Sequence, residues 1–347
     1  FNIKNLDPYT IEVNVSVETV QFNPINLNNE NYIELSIQNG YPSENIGSPN
    51  LPMLNKIIEV PRGGSIRIEI IQDEIEIYNG ENYSINNFIA PVQPSIPKSG
   101  RANNFVINEE IYNSNLFFKN ELAQVVEKGL MREVKIANLM ISPIEYNPIE
   151  NQIILHKNIK FRIYFDGADI ELTHEKKIQG YSPYFEPIFY NSVSNYTPPI
   201  ITETRENDFI GDVVSYIIIA DQSFSNSLGS FIDWKSQKGF DVTIAYTNQI
   251  GSSANAIKNY LEDQYNNPSG AVPTFVLLVG DTPQIPASYS SGGHVSDLDY
   301  CDYTNDNLPD VLCGRFSAQS AIHVGAQVNK TLEYEQYTMP DPSFLSQ

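Results

Sequence analysis

The sequence predicts an antiparallel, sandwich-like β domain over roughly the first 195 residues, followed by an α/β half-domain on a mostly parallel sheet. Three observations predict it. Apolar and polar residues alternate with period two through the first half, as in Ile11-Glu-Val-Asn-Val-Ser-Val17, Ser65-Ile-Arg-Ile-Glu-Ile70 and Ile159-Lys-Phe-Arg-Ile-Tyr-Phe165. Such strands present one apolar and one solvated face. After residue 210 the strands become continuous apolar runs, Tyr216-Ile-Ile-Ile-Ala220 and Phe275-Val-Leu-Leu-Val279, which suit burial on both faces. Between them lie amphipathic helical stretches, and strands alternating with helices are the pattern of a parallel sheet with right-handed crossovers.

In chain order, Asn39-Gly40, Arg62-Gly63-Gly64, Asn79-Gly80 and Asp166-Gly167 punctuate the first strands as turns. Ala90-Pro-Val-Gln-Pro-Ser-Ile-Pro97 reads as an extended crossing. Residues 170 to about 210 lose both periodicities and read as a linker, so the first domain is set at 1–195, all-β, and the second at 211–347. In the second, a strand at 214–220 leads to a helix with Phe224, Leu228, Phe231 and Ile232 on one face and Gly239 past its end. A strand at 241–246, a helix carrying Ile257, Tyr260 and Leu261, and the strand at Phe275 follow. A last helix is expected from near Ser317 to about Tyr337, stopped by Pro340 and Pro342. In such sheets functional groups gather at the carboxyl ends of the strands, which draws attention to Ala220-Asp221 and Gly280-Asp281.

A length of 347 residues suits two domains. The chain carries 42 acidic and 21 basic residues, a net charge of −21, with 17 acidic against 5 basic from Glu206 onward. A uniformly acidic surface argues against nucleic acid and anionic membranes as partners, because phosphate binding needs Lys and Arg. No apolar run approaches the roughly 20 residues of a membrane helix.

Asp297, Asp299, Asp302, Asp306 and Asp310 fall within fourteen residues, joined by Asn305 and Asn307. Hard oxygen ligands at this density suit Ca²⁺, although the spacing is not that of an EF-hand; a solvated acidic turn is the alternative. Cys301 and Cys313, read as neighbours on a hairpin, suit one disulfide in an exported protein, or two reduced thiols packed as small hydrophobes. A dyad of either with His294 or His323 is disfavoured. Asp299 and Asp302 flank Cys301, and their field raises a thiol pKa instead of activating it. No catalytic residue is therefore assigned.

The second half resembles the gingipain family (C25) of secreted cysteine peptidases. The residues that carry the likeness are Tyr196-Thr-Pro198, Phe231-Ile-Asp-Trp-Lys-Ser-Gln-Lys-Gly239, Ala254-Asn-Ala-Ile257, Phe275-Val-Leu-Leu-Val-Gly-Asp281, Ile285-Pro-Ala287 and Gly314-Arg-Phe-Ser317. Gly47-Ser-Pro-Asn-Leu-Pro52, Glu59-Val-Pro61 and Pro143-Ile-Glu-Tyr-Asn-Pro148 are similar to that family's pro-domain. The resemblance implies a caspase-like peptidase half-domain with structural calcium, preceded by a pro-domain that inhibits and chaperones it. The family's His-Gly is missing here, since His294 and His323 are each followed by Val, and its nucleophilic Cys belongs to a later half of the domain. The chain is therefore expected to be inactive alone, partnered by the rest of the catalytic domain from the same precursor, and to act on protein substrates after export or at the cell surface. Lys128 and Arg132 are the basic residues such a pro-domain is expected to offer to a trypsin-like cleft. Maturation cleavage is expected after Asn195, where the resemblance puts the mature start, or after Arg205, the one basic residue of the junction. A sortase-type transpeptidase of the same superfamily, or a non-enzymatic exported binding protein with a degenerate α/β domain, are the other readings.

Overall fold

The computed structural model describes residues 1–80, 87–96, 104–200, 213–289 and 293–339. Contacts divide the chain into two units. The first comprises Phe1–Lys128, Lys135–Thr173 and Tyr190–Thr197; the second comprises Gly129–Val134, His174–Phe189 and Pro198–Gln347.

The first unit is antiparallel. Strands β1 (Asn2–Asp7), β2 (Thr10–Ser16), β6 (Ser65–Asn79), β9 (Ile144–Asn147) and β10 (Gln152–Asp166) form one sheet in the order β1-β2-β10-β6, with β9 also on β10. β5 (Leu54–Glu59), β8 (Val134–Ile141) and β7 (Ala123–Met131) form a second sheet, and β3 (Gln21–Leu27) pairs with β4 (Glu30–Ser36). The alternating patterns do what their period requires: Ile11, Val13, Val15, Phe161, Ile163 and Phe165 all point into one core with Leu139, Ile141 and Ile153. The register breaks between His156 and Asn158, where Lys157 is left over as a bulge.

The expectation of an all-β segment through 195 is corrected by short helices. α1 spans Glu109–Tyr112, capped by Asn108; α2 spans Ile170–Gln179 and α3 spans Glu186–Ser192. α2 forms because the Asp169 carboxylate accepts from Leu172 N at 2.9 Å, Glu171 sits in the first turn and Lys176 and Lys177 in the last.

The second unit holds a four-stranded parallel sheet in the order β12 (Phe240–Tyr246), β11 (Val214–Ala220), β13 (Pro273–Val279), β16 (Leu312–Phe316). Both faces are buried, as the apolar runs require. Ile217, Ile219, Val276 and Leu278 meet Ile257 and Leu261 of the helix α6 (Ala254–Asn266). Ile218, Ala220, Leu277 and Val279 meet Phe231 of α4 (Gly229–Gln237) and Val324 and Val328 of α7 (Ala321–Glu335). A short helix α5 covers Thr247–Ile250, and a small antiparallel ladder joins β14 (Ser288–Tyr289) to β15 (Val295–Ser296).

Two helix boundaries differ from the sequence reading. The helix after β11 is broken into a 3₁₀ turn over Gln222–Ser227 and then α4, because the Asp221 carboxylate caps Ser223 and Gly229 weakens the join. The last helix begins at Ala321, with Ser320 accepting from His323 N, not at Ser317. Gly239 follows α4 at φ +90°, the left-handed position a helix-ending glycine takes.

Candidate functional site

The carboxyl ends of the parallel strands are held by charged hydrogen bonds. Arg315, leaving β16, makes a bidentate pair with Asp297 at 2.8 and 2.7 Å and donates its other terminal nitrogen to the carbonyls of Gly280 and Ile285. Asp281, directly after β13, accepts from Gln319 at 2.7 Å and from Thr282 N at 2.8 Å, and these bonds lower its pKa. Arg315 carries this edge, and the sequence reading missed its role. The signal available was the Gly314-Arg-Phe-Ser317 string, which gives no partner.

The aspartate-rich loop is a folded turn whose carboxylates serve backbone amides. Asp302, 6 % exposed, accepts from Asn307 N at 2.8 Å and Asp306 N at 3.3 Å. Asp306 accepts from Leu308 N and Thr304 Oγ1, each at 2.9 Å. Asn305 and Asn307 take left-handed φ of 58° and 68°, which Asn tolerates better than most residues. Asp297 is committed to Arg315 and Asp299 is exposed. The five aspartates expected to share a cation therefore do not converge. Among the described residues no group of three or more His, Cys, Asp or Glu is arranged to hold a metal ion, so the residues do not fit the calcium centre.

Instead, two of these carboxylates hold the turn between β7 and β8, whose residues Gly129–Val134 belong to this unit. Leu130 N donates to Asp306 Oδ2 at 2.7 Å, and Arg132 N donates to Asp310 Oδ1 at 3.2 Å. Tyr303 N donates to the other Asp310 oxygen at 2.8 Å. Burial pushes the Asp310 pKa up to about 6 against the pull of those amide bonds, with Asp306 and Asp302 adding to the rise. Gly129, at φ +151°, lies so close to Asp306 that a Cβ there would overlap the carboxylate. Arg132 and Glu133 both take positive φ, 43° and 68°, the mark of a type I′ hairpin turn made without Asn or Gly.

Lys128 is exposed. Arg132 is only 2 % exposed and its guanidinium points among backbone carbonyls at the amino end of β13. That end is opposite to Gly280-Asp281, so Arg132 does not present itself at the carboxyl edge of this sheet. Asn195 lies in the first unit and is tied down: its side chain accepts from Glu59 N at 2.7 Å and donates to Glu59 O at 3.0 Å, while its carbonyl accepts from Asn5 at 2.8 Å. Arg205 lies outside the described residues.

The disulfide and its hairpin are corrected as well. Cys301 follows the 3₁₀ turn Leu298–Tyr300, Cys313 lies in parallel strand β16, and both are free thiols. The Cys301 thiol donates to the Asp297 carbonyl at 3.5 Å, and Cys301 packs with Tyr300, Tyr303 and Val311 as a small hydrophobe. The neighbouring Cys313 thiol, together with burial, drives the Cys301 pKa far up, away from a thiolate nucleophile.

Comparison with known proteins identifies the family. The C25 propeptide family matches residues 7–181, and peptidase family C25 matches residues 211–345. Lys-gingipain of Porphyromonas gingivalis is 31% identical over 341 residues, 96% of this chain and 19% of that protein. Gingipain R2 of the same organism is 26% identical over 310 residues, 87% of this chain and 40% of that protein. The chain thus spans about a fifth of the length of the Lys-gingipains it matches. Among solved structures, one described as giving insight into zymogenic latency of gingipain K shares 29% identity over 48% of this chain and 92% of that chain, with a TM-score of 0.45. A complex of RgpB pro- and mature domains shares 18% identity over 56% of this chain and 98% of that chain, also with a TM-score of 0.45. The propeptide match alone covers just over half of the sequence and the peptidase match most of the remainder: the chain belongs to peptidase family C25, as a C25 propeptide joined to part of a C25 peptidase domain.

Proposed function

We propose that this chain is the latency-bearing portion of a secreted or cell-surface cysteine endopeptidase zymogen. Its α/β unit supplies half of a caspase-like catalytic domain, and peptide-bond hydrolysis depends on a Cys/His dyad supplied by other sequence of the same precursor. The observation that carries this reading is the coupling, in one chain, of a propeptide match with a peptidase match. Its chemistry agrees. Neither cysteine has a histidine as a hydrogen-bond partner among the described residues, and Cys301 is held as a thiol. No helix among the described residues is long and apolar enough to cross a membrane. Of the two basic residues expected to occupy a substrate cleft, the exposed Lys128 is the one free to reach it, whereas Arg132 is consumed within the α/β unit.

The test is activation of the whole precursor that contains this chain. The precursor is expected to be silent on Arg, Lys and neutral peptide substrates, and to gain activity blocked by iodoacetamide once cut in the junction that contains Asn195 and Arg205. Turnover by the 347-residue chain alone, or a cut precursor with no cysteine-dependent activity, overturns the reading.

A further inference from the structure

Arg132 is the most deeply buried charged side chain of the described residues that makes no contact with a carboxylate through its guanidinium. One terminal nitrogen donates to Pro273 O at 2.5 Å and Asp310 O at 3.2 Å, and the other to Val272 O at 3.3 Å and Thr274 Oγ1 at 3.0 Å. The Phe185 ring closes the site, 5.0 Å from the guanidinium carbon. Thr274 Oγ1 in turn donates to Ser182 Oγ at 3.1 Å, so the hydroxyl acceptor is itself oriented. Nε is buried without a partner. All of these residues belong to the second unit.

The chemistry selects one kind of head group. Three carbonyls and a hydroxyl converge from two stretches of chain, 272–274 and 310, and demand donors spread in one plane. A guanidinium has five N–H donors in a rigid planar fork and stacks on an aromatic face; an ammonium has three donors on one point and is more strongly hydrated. Carbonyl dipoles, not a carboxylate, satisfy the cation. Burial accordingly pulls the Arg132 pKa down to about 10, still leaving it charged at neutral pH. The backbone anchors at Asp306 and Asp310 then fix the hairpin turn so that the side chain enters in one direction only.

We propose that Val272 O, Pro273 O, Asp310 O and Thr274 Oγ1, under Phe185, form a guanidinium-binding site of the α/β unit, and that Arg132 fills it as a built-in ligand. Resting on the reading of this chain as a propeptide joined to a peptidase part, the site is the recognition element by which the peptidase part holds the 129–134 turn of the propeptide. Arg132 is then a positioning residue of the latent form.

The test is chemical rescue in the full chain. Arg132→Ala is expected to lower the melting temperature by on the order of 10 °C. Addition of n-propylguanidinium at about 10 mM, far below denaturing concentration, is expected to recover at least half of that shift. n-Propylammonium and sodium chloride at equal concentration are expected to recover none. If Arg132→Ala does not fold, its refolding yield with and without n-propylguanidinium is the readout, and the yield is expected to rise only with that compound. Arg132→Lys is expected to stay destabilised. Equal rescue by the ammonium, no rescue by the guanidinium, or a Lys variant as stable as the parent overturns the site. None of these outcomes depends on peptidase activity, so the zymogen reading is tested separately by precursor activation.

Discussion

Glu335, at the end of α7, is the residue whose removal gives the sharpest test of how the α/β unit is closed. Its carboxylate accepts from Lys235 Nζ at 2.7 Å, Trp234 Nε1 at 2.9 Å and Lys238 Nζ at 3.1 Å, tying α7 to α4. Lys235 is 8 % exposed, with its ammonium 5.2 to 5.7 Å from the ring centres of Phe231, Tyr216 and Phe240. Glu335→Ala leaves that ammonium in an apolar setting with ring faces alone to balance it. Breaking one side of a buried pair costs about 3–5 kcal/mol, and the partial exposure of Glu335 puts this case near 3 kcal/mol. The exposed Lys238 contributes little. Glu335→Gln keeps an acceptor and is expected to cost about half as much. Lys235→Met combined with Glu335→Ala removes the stranded charge, so the double variant is expected to be about 2 kcal/mol more stable than the sum of the singles implies. Burial raises the Glu335 pKa, but the bonds from Lys235, Trp234 and Lys238 outweigh it and leave it below the usual value. The stabilisation is therefore present above the ordinary Glu pKa and lost as pH falls through the lowered one, so the cost of Glu335→Ala shrinks in acid. Urea unfolding at pH 7 and pH 4 reads all of this. A Glu335→Ala cost within 0.5 kcal/mol of zero, or strict additivity of the pair, refutes the reasoning.

Three further outcomes are expected. The Asp310 pKa is raised, so its contribution to stability is full below about pH 4 and lost as pH rises through about 6; a rise from 3.8 to about 6 corresponds to roughly 3 kcal/mol. Asp310→Asn, neutral throughout, should gain on the parent between pH 4 and pH 7 in chemical melts, and parallel pH profiles would contradict this. Asp302→Asn should cost about 1–2 kcal/mol by the same amount in calcium and in chelator, since its carboxylate serves turn amides; a calcium-dependent cost would restore a cation to this loop. Asn5→Ala removes three hydrogen bonds, two with Asn195 and one with Thr197. An asparagine-specific protease should then cut at Asn195–Tyr196 about tenfold faster, as expected when local opening becomes easier by about 1.4 kcal/mol. N-terminal sequencing measures it, and an unchanged rate would show that these bonds do not guard the junction.

The strands were legible because burial dictates their spelling. Ile217 and Ile218 face opposite cores of a parallel sheet, and Val13 and Phe161 share one face of an antiparallel one. The helix α2 was legible in principle. Asp169, Glu171, the paired lysines and Gly180 are the usual terminal signals, but the low apolar content of 170–179 hid it behind a linker reading. The aspartate loop misled because composition reports the number of carboxylates, not whether their lone pairs are already taken by Asn307 N, Leu308 N or Tyr303 N. The cysteines misled for a related reason: twelve residues of separation does not reveal that one lies on a parallel strand. The turn at Arg132-Glu133 carries no Asn-Gly signature, because contacts from residues 140 and more positions away hold it in the left-handed region.

The most direct measurement is site-resolved amide hydrogen exchange on the full chain. The amides of Leu130 and Arg132, bonded to Asp306 and Asp310, should exchange as slowly as those of Val276 to Leu278 in β13, because the turn is part of the α/β unit's core. In Asp306→Ala and Asp310→Ala chains the two amides should lose protection before the rest of the β7–β8 pair does. Exchange of Leu130 and Arg132 at the rate of an exposed hairpin tip in the parent chain would contradict the account.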